Sequence, residues 1–242
     1  MTELRYLGHA CFQLTSTLGA RAIIDPFLNG NPHRAIRAED LHQVDLILVT
    51  HGGCDHVGDA FDIQRRTGAM LFGSVDVVFA ARDSGIPKAL TFPMVSGARR
   101  SHAGFTVQAV EAHHVSLFVQ PNGYITGQPL GYIVWPETAG ESPSVYHTGD
   151  TSIFGDLKLF GELYHPELAL VGVGGDPDLP HEMTPFEAAM AVELVGARAA
   201  IPMHYHPGSG DAEGFCEQVQ ARVPTATTRV LEIGETIELP LT

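Results

Sequence analysis

The sequence predicts an α/β protein, on three observations. Short apolar runs of strand length alternate with longer segments of helical character. Gly- and Pro-rich punctuation bounds most of these runs. Residues able to bind a metal collect at the ends of the runs instead of scattering along the chain. No linker, low-complexity tract or tandem repeat interrupts residues 1–242, so they are expected to form one domain.

In chain order, Glu3 to Leu7, Cys11 to Thr15 and Arg21 to Ile24 read as three short strands joined by Gly-containing turns. His9 sits in the first turn and reads as structural, with support of a neighbouring ligand as the alternative. The loop from Asp25 to Pro32 is rich in breakers, and Asp25 either orients a ligand or caps the turn. Leu46 to Val49 is a continuous apolar run, hence a buried strand, and Gly52-Gly53 then turns the chain. Asp59 to Thr67 and Val75 to Asp83 read as helices flanking a strand over Ala69 to Phe72.

Phe105 to Val110 reads as a strand that delivers Glu111-Ala112-His113-His114. Adjacent residues of an extended chain point opposite ways, so at most one of the two histidines serves a common point. Gly123 to Gly131 reads as a loop, Tyr132 to Trp135 and Ser144 to His147 as strands, and Phe154 to Tyr164 as a short helix. Leu168 to Val173 reads as a buried strand, followed by a loop over Gly174 to His181. Thr184-Pro185-Phe186-Glu187 has the capping-box pattern with Pro at the first helical position, so a helix should run to Val195 and stop at Gly196. Ala199 to Met203 is a strand before His204, and Val230 to Leu239 a closing strand or hairpin.

The hydrophobic fraction of 44% supports a sizeable core. No run approaches the roughly 18 apolar residues of a membrane span, and the first residues lack the features of a secretory signal. Three widely spaced cysteines, Cys11, Cys54 and Cys216, make no disulfide framework. A cytoplasmic protein without a membrane partner is therefore expected. Lys+Arg 14 against Asp+Glu 28 gives a net charge of −14, which repels phosphate backbones, so nucleic acid is not an expected partner. A local basic cleft is still allowed, for example around Arg99-Arg100.

Four separated strand ends present metal-binding side chains: His51/Asp55/His56, one of His113 and His114, Asp150, and His204. Strand ends are rigid mounts, and imidazole and carboxylate together suit a catalytic metal with an open position. A shared metal site is the expectation.

The motifs Leu7-Gly8-His9, Asp25-Pro26-Phe27, Thr50-His51-Gly52, Asp55-His56-Val57-Gly58-Asp59, His147-Thr148-Gly149-Asp150-Thr151 and Met203-His204-Tyr205 resemble the metallo-β-lactamase superfamily. Within it, they resemble the bacterial hydrolases related to L-ascorbate-6-phosphate lactonase. The resemblance implies a four-layer αββα sandwich with a metal site at one edge. It implies His51 and His114 as ligands of a first metal, Asp55, His56 and His204 as ligands of a second, and Asp150 between them. Zn2+ is the implied ion, with Mn2+ or Fe2+ as alternatives, and one or two ions are allowed.

The family pattern T-H-x-H-x-D-H has Gly53 where its middle His should stand. The sequence thus expects a vacant ligand position between His51 and His114. Cys54, His113 or His181 could compensate, or the protein could run on one metal. The leading expectation is a hydrolase acting on a small ester, lactone, amide or phosphodiester, with Asp55 or Asp150 orienting the nucleophile and His181 or His206 donating a proton to the leaving group. Asp25 and Asp59 would fix imidazole tautomers. The alternatives are a phosphodiesterase or nuclease, and a metal-binding protein of impaired activity. A small-molecule substrate is the expected partner, and a homo-oligomer is left open.

Overall fold

The computed structural model of the chain describes residues 1–136, 143–174 and 182–241. The first sheet is built from β1 (Thr2–Gly8), β2 (Cys11–Thr15), β3 (Arg21–Ile24), β4 (Leu46–Val49), β5 (Met70–Gly73) and β6 (Thr91–Pro93). The second takes β7 (Arg99–His102), β8 (Phe105–Glu111), β11 (Leu130–Trp135), β12 (Val145–His147), β13 (Leu168–Gly172), β14 (Ala199–Met203) and β15 (Thr227–Thr228). Between β8 and β11, β9 (Ser116–Gln120) and β10 (Gly123–Gly127) form a separate hairpin, and β16 (Thr236–Leu239) returns to pair with β1.

Both sheets follow one plan. The orders are β16-β1-β2-β3-β4-β5-β6 and β15-β14-β13-β12-β11-β8-β7, each with three antiparallel pairings on one side and three parallel pairings on the other. The parallel strands are apolar on both faces because both faces are covered. In β4, Leu46 and Leu48 join the core between the sheets, while Ile47 and Val49 join the core beneath the outer helices. In β13 the same alternation sends Leu168 and Leu170 inward, and Ala169 and Val171 outward. The period of two in each strand thus divides one apolar run between two cores.

The outer layers are α2 (Ala60–Thr67) and α3 (Val75–Asp83) on the first sheet, with the short α1 (Cys54–Val57) at its edge. On the second sheet lie α4 (Leu157–Tyr164), α5 (Pro185–Val195) and α6 (Asp211–Arg222). This is the αββα sandwich. The capping box is present, with the Thr184 hydroxyl accepting from the Glu187 N–H and the Glu187 carboxylate accepting from the Thr184 N–H, and Gly196 ends α5 in the left-handed region. The hairpin β9–β10 departs from the expected loop. One of its faces, with Phe118 against Phe61, is packed and the other is open, so its alternation was masked by Gly and Pro. Each guanidinium of Arg99 and Arg100 lies over an aromatic ring, of Trp135 at 4.6 Å and Phe92 at 4.4 Å, and Arg100 lines a local basic cleft with Arg82 and Lys88. Among the described residues, no helix is long and apolar enough to cross a membrane.

Strand direction positions the site. β1, β3 and β4 run one way in the first sheet, and β8, β12 and β14 share one direction in the second. Their carboxyl ends carry His9, Asp25, His51, His114, Asp150 and His204, and the side chains of these residues come together at one edge of the sandwich.

Close helix packing makes Gly161 of α4 a point of stability. A Cβ there would lie 2.2 Å from the Val195 carbonyl oxygen at the end of α5. Gly161→Ala should therefore lower stability by about 1–3 kcal/mol in urea unfolding. Gly155→Ala, which meets nothing within 4 Å, should stay within about 0.5 kcal/mol of the parent.

Candidate metal centre

The site is built outward from Asp25. This carboxylate is fully buried and accepts the Thr50 N–H (2.8 Å), the Thr50 hydroxyl (2.8 Å) and the His56 Nδ1–H (2.8 Å). The bond orients the His56 ring and turns Nε2 toward the centre of the site. Thr50 Oγ1, having donated to Asp25, accepts from His51 Nδ1 at 3.1 Å, and so presents His51 Nε2 in the same sense. Asp59 does not share this role. It accepts the Leu28 and Asn29 N–H groups, both at 2.9 Å, and caps the turn.

Asp150 Oδ2 lies at the middle. It is 3.1 Å from His56 Nε2, 3.4 Å from His204 Nε2, and 3.7 Å from both His51 Nε2 and His114 Nε2. Asp55 Oδ2 is 3.5 Å from His204 Nε2 and 4.0 Å from His56 Nε2. Two donors about 2.1 Å from one tetrahedral ion stand about 3.4 Å apart, so these separations are the ones a shared cation would span. Buried His56 Nε2, His204 Nε2 and Asp150 Oδ1 have no hydrogen-bond partner. Leaving three such atoms dry and unpaired is costly, and a cation at their centre removes the cost.

The six residues expected from the sequence thus lie in one cluster. Their donors fall into two groups, one containing Asp55, His56 and His204, the other His51, His114 and Asp150, and a third group joins Asp150 to His204. Two further residues join them. His9 belongs to the first group, with Nε2 3.2 Å from Asp55 Oδ2 and its ring centroid 3.9 Å from that of His204. Glu182 groups with Asp150 and His204, 4.0 Å from His204 Nδ1. Neither is legible as a lone residue in a turn, because each depends on which strand ends the sheets bring together.

The candidates for replacing the missing His separate cleanly. Cys54 is exposed at the start of α1, outside the converging groups. His113 faces away, stacked on Phe154 at 4.2 Å and paired with Glu111 at 3.2 Å. His181 and the loop from Asp176 lie outside the described residues. The position at Gly53 is not vacant. Its backbone (φ −58°, ψ 138°) suits any residue, but a Cβ would stand 2.7 Å from His51 Nε2. The imidazole of His51 itself fills the space.

Charge follows this packing. Burial, with His56 beside it, pushes the His51 imidazole down to about 3, so it is neutral. Burial would also depress His56, but the carboxylates of Asp150 and Asp25 raise it well above the ordinary range. Burial would raise Asp55, but the imidazoles of His204 and His9 beside it hold it well below the usual carboxylate range. Backbone strain is concentrated here too. His9 (φ 57°), Asp25 (φ 46°) and His204 (φ 67°) are all in the left-handed region, at about 1–2 kcal/mol each for an L residue. The bond from the His204 N–H to the His9 carbonyl, 3.1 Å, ties the two strained ends together across the sheets.

Asp25→Asn tests the support. Asn tolerates a positive φ, but it accepts the His56 and Thr50 bonds without a charge. Affinity for Zn2+ or Mn2+ in chelator competition is expected to fall about 10–100-fold. An unchanged affinity would show that Asp25 does not control His56.

A family model described as the Beta-lactamase superfamily domain matches residues 20–205. A UPF0173 metal-dependent hydrolase of Methanopyrus kandleri is 40% identical over 240 residues, covering 98% of this chain and 99% of the relative. One from Thermococcus kodakarensis is 38% identical over 245 residues, covering 99% and 100%. Among solved structures, Igni18, a metallo hydrolase from Ignicoccus hospitalis, is 30% identical with a TM-score of 0.82, covering 98% of this chain and 97% of its own. The chain belongs to the beta-lactamase superfamily and, within it, to the UPF0173 group of metal-dependent hydrolases.

Proposed function

We propose that the protein hydrolyses a small ester, lactone or amide at a divalent cation held by Asp55, His56, Asp150 and His204, with His9 at its side. The convergence of unpartnered, buried His56 Nε2, His204 Nε2 and Asp150 Oδ1 carries this reading. The donors are imidazole and carboxylate with no thiolate, a set that suits Zn2+, Mn2+ or Fe2+. Such an ion supplies a water whose pKa falls from ~15.7 toward ~7 and polarises the carbonyl under attack.

The side chains do the rest. Asp25 and Thr50 hold His56 and His51 in single orientations. Asp55 turns Oδ2 toward His9 and His204, which leaves Oδ1 to accept a hydrogen bond from the incoming water and orient it. His206 lines the mouth of the cavity that contains His51, Asp55, His114, Asp150 and His204, where its imidazole can pass a proton to the leaving group. A second, weaker cation position is proposed at His51, His114 and Asp150, which offers three donors where the family pattern has four.

Chelator-sensitive turnover of p-nitrophenyl acetate or a simple lactone, restored by Zn2+ or Mn2+, is the direct test. Its absence with every ester, lactone and amide tried would overturn the proposal. His204→Ala should abolish tight metal binding, whereas His51→Ala should leave one ion per chain by elemental analysis. Gly53→His should not raise the stoichiometry, since the His51 ring occupies the space. At physiological salt, binding of generic RNA should be negligible given the −14 charge. Salt-sensitive submicromolar binding would favour a nuclease instead.

A further inference from the structure

A second cavity adjoins the metal centre. It has a volume of about 540 Å³, within the range of small-ligand pockets, and is walled by Tyr6, Phe27, Tyr205, Val230, Leu231 and Ile233. The cavity holding the metal-binding residues is of equal size. His9, Asp55 and His206 line both, so the two meet along one ridge that carries the proposed nucleophile-orienting carboxylate and the proposed proton donor.

The first cavity presents imidazoles and carboxylates. The second adds the aromatic and aliphatic surface of those six residues, with Asn31, His33, Glu213 and Glu232 also in its lining. Neither is lined by a lysine or arginine among the described residues. A phosphate or carboxylate on the substrate would find no permanent cation here and would face Glu213 and Glu232. A neutral apolar group finds removal from water.

We infer that the substrate carries an uncharged apolar arm, which crosses the His9–Asp55–His206 ridge and lies in this second cavity while the scissile carbonyl faces the metal-binding residues. This rests on the proposed hydrolytic function and names the substrate class within it: esters with a neutral aliphatic or aryl arm of several carbons, on the acyl or the alcohol side. It also separates this chain from a lactonase acting on a phosphorylated sugar, which requires a cation for the phosphate. Each methylene buried in the cavity should raise kcat/KM about two- to fourfold.

The test compares p-nitrophenyl acetate, butyrate and hexanoate, and separately methyl, butyl and hexyl acetate, on the metal-loaded protein. A rise of at least tenfold from shortest to longest is expected in one series. Ile233→Glu, and independently Val230→Glu, should collapse that ratio, because each places a carboxylate in the wall. A second measurement needs no turnover. 1-Hexanol, titrated into the metal-free protein, should shift the NMR signals of Tyr205 and Ile233 saturably, and ethanol should not. Turnover that is flat with chain length in both series, or hexanol shifts that avoid these residues, overturns the inference while leaving the hydrolytic function standing. Hexanol binding without turnover of any ester overturns the hydrolytic function and, with it, the substrate assignment.

Discussion

A single buried carboxylate sets the geometry of the site. Asp25 is fully buried, and the His56 imidazole, whose charge it favours, stands 2.8 Å from it. It is stable there because three donors, two from Thr50 and one from His56, satisfy it. Those bonds also select which imidazole nitrogens of His56 and His51 remain for a cation. Removing the charge would loosen two histidines at once, one directly and one through the Thr50 hydroxyl. The strand ends of β3 and β4 are held in register by their parallel pairing, so this support is as rigid as the sheet itself.

The strain at His9, Asp25 and His204 belongs to the same design. Three non-glycine residues at positive φ cost a few kcal/mol together. That cost is sustained by the two sheets, which share an apolar core from Leu4 and Phe12 to Ile201 and Met203. The backbone bond from His204 to His9 closes the sandwich at this edge, and the Tyr132 hydroxyl donating to the Val49 carbonyl (2.8 Å) closes it a little deeper. The polar centre is thus largely buried and held from both sheets, a condition under which positioned charges act strongly.

The departure at Gly53 now has a physical form. Without a side chain there, the His51 ring packs against the α1 N-terminus, where a Cβ would be 2.7 Å away. The candidate group around Asp55 has four members, His9, Asp55, His56 and His204, against three around His51. The second cavity opens on that same side, so richer donor supply and apolar walls are adjacent.

By itself, the sequence determined the layering, the capped helix ending at Gly196, and the strand ends that carry His51, Asp55, His56, Asp150 and His204. Local physics writes these: apolar runs of strand length, the Thr184–Glu187 box, and turns that break after them. The helix Asp211–Arg222 was also legible in principle, through buried Ala212, Phe215 and Val219 at helical spacing, although Gly214 dilutes the pattern. Strand geometry separated His113 and His114 only as one inward and one outward, the resemblance pointed to His114, and the fold places His114 in the cluster and His113 outside it. The roles of His9 and Glu182, the hairpin Ser116–Gly127, the filling of Gly53's space by its neighbour and the apolar cavity beside the metal centre were decided only in three dimensions. Each arises from contacts between segments far apart in the chain, and the relative placement of strand ends from two sheets is a property of their pairing that no single segment encodes.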